Sequence, residues 1–335
     1  MQKRGQNHPP EWSEVGLRFY SLSHYLQQQF HRRVWKLSVD AGLSCPNLDG
    51  TLASQGCVFC DSRSFSPSRR LGGASRSIID QIEDGISRLR RRYGASANTF
   101  LAYFQPATNT HGPLERLRAL WEEAAAHPQV VGLIIGTRPD CAGDEVLDAL
   151  KSAAGEKWVS IEFGLQSIHQ ESLDWLGRRH DFGCFEDSLA RARKRSLHVG
   201  VHLMLGLPCE TRDQMLSTAR EMARLQVDSV KLHNLYIVRD TPLADLWKEG
   251  RFELPTREEY VQMVADFLEQ LPPTCVIDRI IGDAPPQYLL APEWCRHKAA
   301  LRHAVERELD RRGTRQGSRH THPVESSGSA GDNRA

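Results

Sequence analysis

Several features are scarce in this chain of 335 residues, and each scarcity removes a class of answer. No apolar run approaches the roughly 20 residues that a helix needs to cross a bilayer, so a membrane-spanning protein is not expected. The opening MQKRGQNHPPEWSE carries no apolar segment of the kind a secretory signal requires. Together these two absences give a cytoplasmic expectation. Net charge is only +1, which supplies no global pull toward nucleic acid or membrane. Eight cysteines are too few and too unevenly placed for a disulfide scaffold, and clustered cysteines in a reducing compartment more often bind metal or do redox work. No segment repeats in sequence, which excludes a solenoid. What is present is enough for a packed core: 40% hydrophobic and 25% charged residues, in a length that suits one large domain or two ordinary ones.

Residues 1–16 are polar and include Pro9 and Pro10, which predicts a flexible lead-in. A helical stretch over 20–30 is followed by a strand over 33–39, with Trp35, Leu37 and Val39 on one face and Val34, Lys36 and Ser38 on the other. Apolar, strand-like runs over 100–104, 130–135, 158–165, 199–205 and 230–238 then alternate with amphipathic helical stretches over 78–93, 114–126, 144–153, 185–195, 212–225 and 260–271. Such alternation predicts an α/β fold with a parallel sheet of βαβ units, curled by right-handed crossovers into a full or partial barrel. Six strands, with a seventh candidate over 276–281, fall short of the eight in a closed TIM barrel. From Arg311 onward apolar periodicity stops, and the end of the chain is expected to be disordered.

The chemistry concentrates in LSCPNLDGTLASQGCVFCDS, residues 43–62. Cys57 and Cys60 form a CxxC pair, and Cys45 stands twelve positions before Cys57. The segment follows the first strand, which places three thiols at a strand's C-terminal end, where α/β folds generally build active sites. Two inorganic centres use such ligands. A structural zinc takes four, usually as two pairs, and here a remote His or Asp has to complete the set. A 4Fe–4S cluster held by three thiolates leaves one iron open to chelate the amino and carboxylate groups of S-adenosylmethionine (SAM). The third cysteine, the loop position and the βα rhythm strengthen the cluster reading.

Carried by the blocks DAGLSCPNLDGTLASQGCVFC, LAYFQPATNT, GLIIGTRPDC, IEFGLQS, RRHDF, HLMLGLPCET, VKLHNLYIV and LLAPEW, the chain resembles the radical SAM superfamily. Within it, the resemblance is to the YhcC/YtqA-type branch. That branch lies near the elongator-type and methylthiotransferase enzymes and uses a long first spacing in place of CxxxCxxC. The resemblance covers nearly everything up to Gly317. It implies a partial (β/α)6 barrel of radical SAM type over 17–285, a C-terminal helical extension over 286–317 and a disordered tail over 318–335. It implies an enzyme, its class left open, that reductively cleaves SAM at a 4Fe–4S cluster to give a 5′-deoxyadenosyl radical, with an electron donor such as flavodoxin or ferredoxin. Cys45, Cys57 and Cys60 are then the cluster ligands, and Phe59 sits beside the SAM adenine. Many relatives carry Gly-Gly-Glu on the second strand for the SAM amino group. This sequence departs from that pattern with Tyr103, Phe104 and Gln105, which leaves Gln105 or backbone carbonyls for the contact.

The remaining blocks end strands at the same rim. Glu162, Gly164 and Gln166 recur at spacing two, so they share a face, and polar groups on a doubly covered strand need partners. The resemblance puts them near the SAM ribose and methionyl moiety; the alternative is an internal hydrogen-bond network. Gly206, Leu207 and Pro208, after the fifth strand, suit close backbone approach to the adenosine or a simple tight turn. The candidate catalytic residues are Arg138, Cys141, Lys231 and His233. Arg138 can grip a carboxylate or phosphate or pair with Asp140. Lys231 and His233 alternate on the sixth strand and can face a pocket, although a structural role is ordinary for such a histidine. Cys184, Cys209, Cys275 and Cys295 are scattered in the manner of small core residues, and the lack of a second cluster motif weakens a sulfur-insertion reading.

Basic residues bunch at 88–92, 178–180 and 191–195, and 296–320 holds eight Lys/Arg against three Asp/Glu. Such groups fit phosphate contact or solvated helix faces with acidic neighbours. Members of the YtqA-type subgroup are linked to the 5-aminomethyl-type side chain of tRNA wobble uridine. The resemblance therefore implies radical processing of a modified tRNA uridine, with removal of a carboxymethyl group as one form. A small-molecule or protein substrate is one alternative, and a non-catalytic zinc-stabilised RNA-binding module is another.

Overall fold

The structure, a computed structural model, describes residues 11–61, 64, 66, 69 and 76–320. Seven parallel strands form one curled sheet: β1 (Trp35–Val39), β2 (Phe100–Phe104), β3 (Val130–Thr137), β4 (Trp158–Gln166), β5 (His198–Leu205) and β6 (Ser229–Asn234) follow in sequence order. The short β7 (Ile237–Val238) is left out, and β8 (Val276–Arg279) closes the series beside β6. Val39 lies opposite Phe104 and Thr137 opposite Phe163, so the C-terminal strand ends arrive together at one rim. Helices return the chain between strands. They are preceded by α1 (Glu11–Glu14) and α2 (Leu22–Phe30), and the first crossovers are α3 (Ile78–Tyr93), α4 (Leu114–Ala126) and α5 (Asp144–Ala154). After them come the short α6 (Gln170–Trp175), then α7 (Phe182–Lys194), α8 (Arg212–Arg224), the short α9 (Pro242–Lys248), α10 (Arg257–Gln270) and α11 (Lys298–Arg312).

Local chemistry explains these elements. On α3, Ile78, Ile82 and Ile86 recur every four residues and are all buried, the stripe expected of a helix covering a sheet. Reciprocal capping by Thr211 with Gln214 and by Thr256 with Glu259 starts α8 and α10. Every residue of β2 is buried, because a parallel sheet is covered on both faces. The outer face packs Phe100, Trp121, Phe163 and Phe185 against the helices. The inner face carries polar groups and forms the site.

One expectation needs correction. The single strand expected over 230–238 is broken: the chain leaves the sheet after Asn234, whose Oδ1 accepts from the Gly282 amide at 2.9 Å. Ile237 and Val238 instead pair antiparallel with β9 (Leu289–Ala291). The partial barrel itself is as expected, with β8 as the seventh strand at the position of its candidate.

The edge strands β1 and β8 approach each other across the interior, with Lys36 Nζ 4.0 Å from Asp278 Oδ2. The start of α2 bridges the seam, and the Ile277 amide donates to Tyr20 O at 2.7 Å. Gln316, 1% exposed, accepts from the Tyr20 amide at 2.9 Å and donates to Cys275 O at 2.7 Å, tying the C-terminal extension to this seam. Of the lead-in expected over 1–16, residues 1–10 lie outside the described residues. Residues 11–14 form α1, where Trp12 is buried and donates to Pro273 O at 2.9 Å. Of the tail expected over 318–335, residues 321–335 lie outside the described residues, and Arg319 pairs with Glu269 at 2.8 Å. Among the described residues no helix is long and apolar enough to cross a membrane.

Candidate active site

The strand ends surround a cavity of about 430 Å³, a size usual for cofactor sites. Cys45, Cys57, Phe59 and Cys60 line it, together with Gln105, Arg138, Glu162, Gly164, Gln166, Lys231 and His233. The strand-end reading therefore brings most of the candidate residues to one place.

The interval between Cys45 and Cys57 is a closed excursion. Cys45 O accepts from the Leu48 amide at 2.7 Å, Pro46 O from the Leu52 amide at 2.8 Å, and Asn47 O from the Gly56 amide at 2.7 Å. These bonds fold the chain back on itself and return Cys57 toward Cys45. Gly56 has φ +75°, and a Cβ there would stand 2.8 Å from Leu48 Cδ2, so the return needs glycine. Asn47, fully buried, donates to Cys57 Sγ at 3.3 Å and to Gly177 O at 2.8 Å. Burial, with Cys57 and Cys45 alongside, pushes the Cys60 thiol up to about 12. A positive centre is what would hold such a trio as thiolates.

Arg178 is the site residue that the sequence did not single out as such. Its Nη1 donates to Cys57 Sγ at 3.1 Å and its Nη2 to Gly164 O. Its carbonyl accepts from Arg138 Nη2 at 2.7 Å. Arg138 in turn grips Asp140 through bonds of 2.9 and 2.8 Å, so the ion pair weighed for Arg138 is present. Its Nη1 is buried with no partner among the described residues. Arg178 and His180 are 6% and 7% exposed, which removes both from the basic surface group expected at 178–180. They belong to the wall.

The group at 191–195 is partly engaged, with Arg195 alone meeting carboxylates. Arg193 donates to the carbonyls of Leu225 and Gln226, and Arg195 pairs with Asp144 and Asp148, each at 2.7 Å. Arg88, Arg90, Arg91 and Arg92 are exposed near the C-terminal end of α3. That end feeds the start of β2, at the rim opposite the cavity.

The interior below the thiols is a polar network centred on Glu162. Its Oε2 accepts from Tyr103 at 2.7 Å, His202 at 2.6 Å and Lys231 at 2.8 Å, while Lys231 also donates to Tyr103. This is the internal network weighed as the alternative for Glu162, though Glu162 still faces the cavity. Burial alone would push the Glu162 carboxyl up, but the Lys231 ammonium and the bond from His202 outweigh it and hold the group well below the usual carboxylate range. Burial lowers Lys231 to about 8 and, reinforced by Lys231, holds the His202 imidazole near 4. Burial, aided by His202 and Arg279, likewise keeps His233 neutral, and its Nε2 is buried without a partner among the described residues.

Other expected residues fall elsewhere. Gly206, Leu207 and Pro208 do not line the cavity. At Gly206 (φ +80°) a Cβ would stand 2.6 Å from Pro255 Cγ, so its close approach is to protein, and Leu207 packs in the apolar shelf beneath Val58 and Phe59. Cys141 also lies off the cavity wall, its thiol pushed up to about 12 by burial and by Asp140. His202 was missed, although a polar residue inside an apolar strand is the same signal that marks Glu162 and Lys231.

The donor set fits a cluster with SAM. Three thiols sit in one wall with two N–H donors on Cys57, and the unpartnered nitrogens of Arg138 and His233 leave polar groups for a ligand. Among the described residues no three His, Cys, Asp or Glu side chains converge as one metal ion requires.

Comparison with known proteins agrees with this geometry. The sequence profile of the radical SAM superfamily matches residues 53–222, and that of the radical SAM C-terminal domain matches residues 227–311. The protein YtqA of Bacillus subtilis is 36% identical over 312 residues, 93% of this chain and 96% of its own length. A tRNA uridine(34) acetyltransferase of Dehalococcoides mccartyi is 28% identical over 204 residues, 60% of this chain and 42% of that protein. In fold, the archaeal Elp3 of Methanocaldococcus infernus superposes with a TM-score of 0.63 at 18% identity, covering 84% of this chain and 64% of that one.

Proposed function

The chain belongs to the radical SAM superfamily, and on that footing we propose that it acts on a modified wobble uridine of tRNA, with Cys45, Cys57 and Cys60 as the ligands of its 4Fe–4S cluster. Membership makes it an enzyme that works with a 4Fe–4S cluster and SAM, and sets aside the non-catalytic zinc module. When bound, cluster and SAM would supply radical chemistry able to remove a hydrogen atom from an otherwise unreactive carbon.

The chain's own residues do the rest. Arg178 and Asn47 aim N–H groups at the Cys57 sulfur and fix its direction. Phe59, seated on the shelf that includes Leu207, would offer its ring to the adenine. Gln105 and Gln166 line the cavity and would serve the methionyl end. Glu162, Lys231 and Tyr103 tie the floor together through mutual hydrogen bonds. The reaction takes place in the cytoplasm, with electrons from a donor such as flavodoxin or ferredoxin.

The three-thiol wall of the cavity carries the radical SAM reading. The tRNA part draws on the likeness to a tRNA uridine(34) acetyltransferase and on the accessibility of an anticodon-loop base, which is single-stranded and can be turned into a pocket. The test is modification profiling of tRNA from a deletion strain; an unchanged wobble-uridine profile sinks the idea. One observation favours a small-molecule or protein substrate instead. Several basic residues of the expected phosphate-contact groups are paired with carboxylates, and the exposed group at 88–92 stands at the rim opposite the cavity, which lowers the positive charge open to a nucleic acid backbone near the site. A salt-sensitive tRNA gel shift is expected on the first reading and not on the second.

A further inference from the structure

Arg279 ends β8 and lines the cavity, yet among the described residues its side chain makes no hydrogen bond and no ion pair. A guanidinium carries five N–H donors in a fixed fork, and this one, half-buried at the cavity wall, leaves its fork open to the cavity. The carboxylates near it do not answer it. Glu162 accepts from Tyr103, His202 and Lys231. Asp283 is held by Lys298 at 2.6 Å, and Asp278, next in the chain, lies 4.0 Å from Lys36 with its Oδ1 buried and unpartnered among the described residues. The Arg279 guanidinium therefore faces the cavity without a carboxylate partner among the described residues. His233 stands within its field, with Nε2 buried and unpartnered. Gly282 makes room for that ring, because a Cβ there would stand 2.9 Å from His233 Nδ1.

SAM would not supply Arg279 with an anion, because its carboxylate would be taken up by the cluster that the cysteines would hold, and its sulfonium would add further positive charge. We propose that Arg279, with His233 beside it, is an anion subsite that holds a carboxylate or phosphate group of the substrate. An Arg fork matches either group through two parallel bonds, and the neutral imidazole adds a third. This inference rests on the cavity being the chamber shared by SAM and substrate; it does not depend on the substrate being tRNA.

The experiment uses the full chain with its cluster reconstituted and SAM in excess. Thermal stability is followed while sodium acetate, or in a second arm inorganic phosphate, replaces chloride at fixed ionic strength. Saturable stabilisation is expected from acetate if the subsite takes carboxylates and from phosphate if it takes phosphates. Arg279→Gln should weaken that apparent affinity roughly 10- to 100-fold, and Arg279→Lys should keep part of it. Arg296→Gln, on an exposed turn, should leave it unchanged. Without added anion, Arg279→Gln should unfold at the wild-type temperature or above, because it removes a charge without a carboxylate partner, and its SAM affinity by equilibrium dialysis should stay within about twofold of wild type.

The proposal is overturned by any of four results: no saturable response in the wild type, an undiminished response in Arg279→Gln, a lower unfolding temperature for that variant, or a loss of SAM binding with it. The last would reassign Arg279 to the cofactor. An unchanged wobble-uridine profile in the deletion strain would leave the anion response standing, so the two readings fail separately.

Discussion

Replacing Glu162 by Gln keeps the shape of the network but removes the carboxylate on which Lys231, 3% exposed, depends. Removing one partner of a buried ion pair costs about 3–5 kcal/mol, because the other charge is left in a poor environment. Lys231 has one escape, which is to release its proton. Burial already lowers Lys231 to about 8 in the folded chain, so at pH 7.5 that release costs under about 1 kcal/mol, and the escape holds the expected loss to about 1 kcal/mol. Unfolding entropy of roughly 2.1 cal/mol/K per residue over 335 residues comes to about 0.7 kcal/mol/K. The midpoint should therefore fall by only about 1–2 °C in calorimetry of the full chain at pH 7.5.

The escape also sets a pH dependence. As the pH rises through about 8 the wild-type lysine gives up its proton in the folded chain too, so the deficit should vanish above about pH 9. Adding Lys231→Met removes the stranded amine, and a neutral pair needs no ionic partner. The double variant should be at least as stable as Glu162→Gln. A midpoint for Glu162→Gln more than about 4 °C below wild type, or a double variant less stable than Glu162→Gln, would refute the reasoning.

The thiols are tested by their iron. Cys45→Ala, Cys57→Ala and Cys60→Ala should each lose most of the reconstituted cluster's absorbance, whereas Cys141→Ala, off the cavity wall, should keep it. The bond from Arg178 to Cys57 Sγ at 3.1 Å should raise the cluster's potential, so Arg178→Gln should move it negative by roughly tens of millivolts in an EPR-monitored titration; an unmoved potential contradicts that role. Histidines give an acid limit. His202 sits near 4 in the folded chain against an ordinary 6.5, so its contribution is complete above pH 6.5 and is lost as the pH falls toward 4, a gap worth about 3 kcal/mol. Urea midpoints should decline from pH 7 to pH 5, and His202→Asn should flatten that decline.

Where an element's periodicity was long, the sequence delimited it well. The helices over 78–93 and 114–126 and the strand over 100–104 are found at those residues, because each exposes its pattern over several turns or is apolar on both faces. The short α6 and α9, six and seven residues long, went unread, since so few residues hardly establish a period. The break inside 230–238 went unread for a different reason. Asn234 turns the chain out of the sheet by bonding to Gly282, 48 positions away, while Leu235, Ile237 and Val238 continue the apolar run that a strand would show.

The site divides along the same line. Glu162 and Lys231 were legible because a polar group on a covered strand must find a partner, and they find each other. Arg178 and Arg279 were not, because nothing in their local pattern marks them as interior. Arg178 sat in a cluster that reads as surface, and its burial follows from the return of the Cys45–Cys57 excursion against Gly177. That excursion explains the cysteine spacing as well. A short interval holds two thiols together by chain length alone, whereas an interval of twelve needs internal closure. Here the carbonyls of Cys45, Pro46 and Asn47 supply it by accepting from Leu48, Leu52 and Gly56. The long spacing is then equivalent to a short one once folded, and the burden moves to Gly56, whose left-handed backbone and contact with Leu48 no other residue type accommodates without strain. Gly56→Ala should consequently lower iron incorporation while leaving the distant barrel intact, and Leu48→Ala in the same chain should restore it only in part, because it relieves the contact but not the backbone conformation.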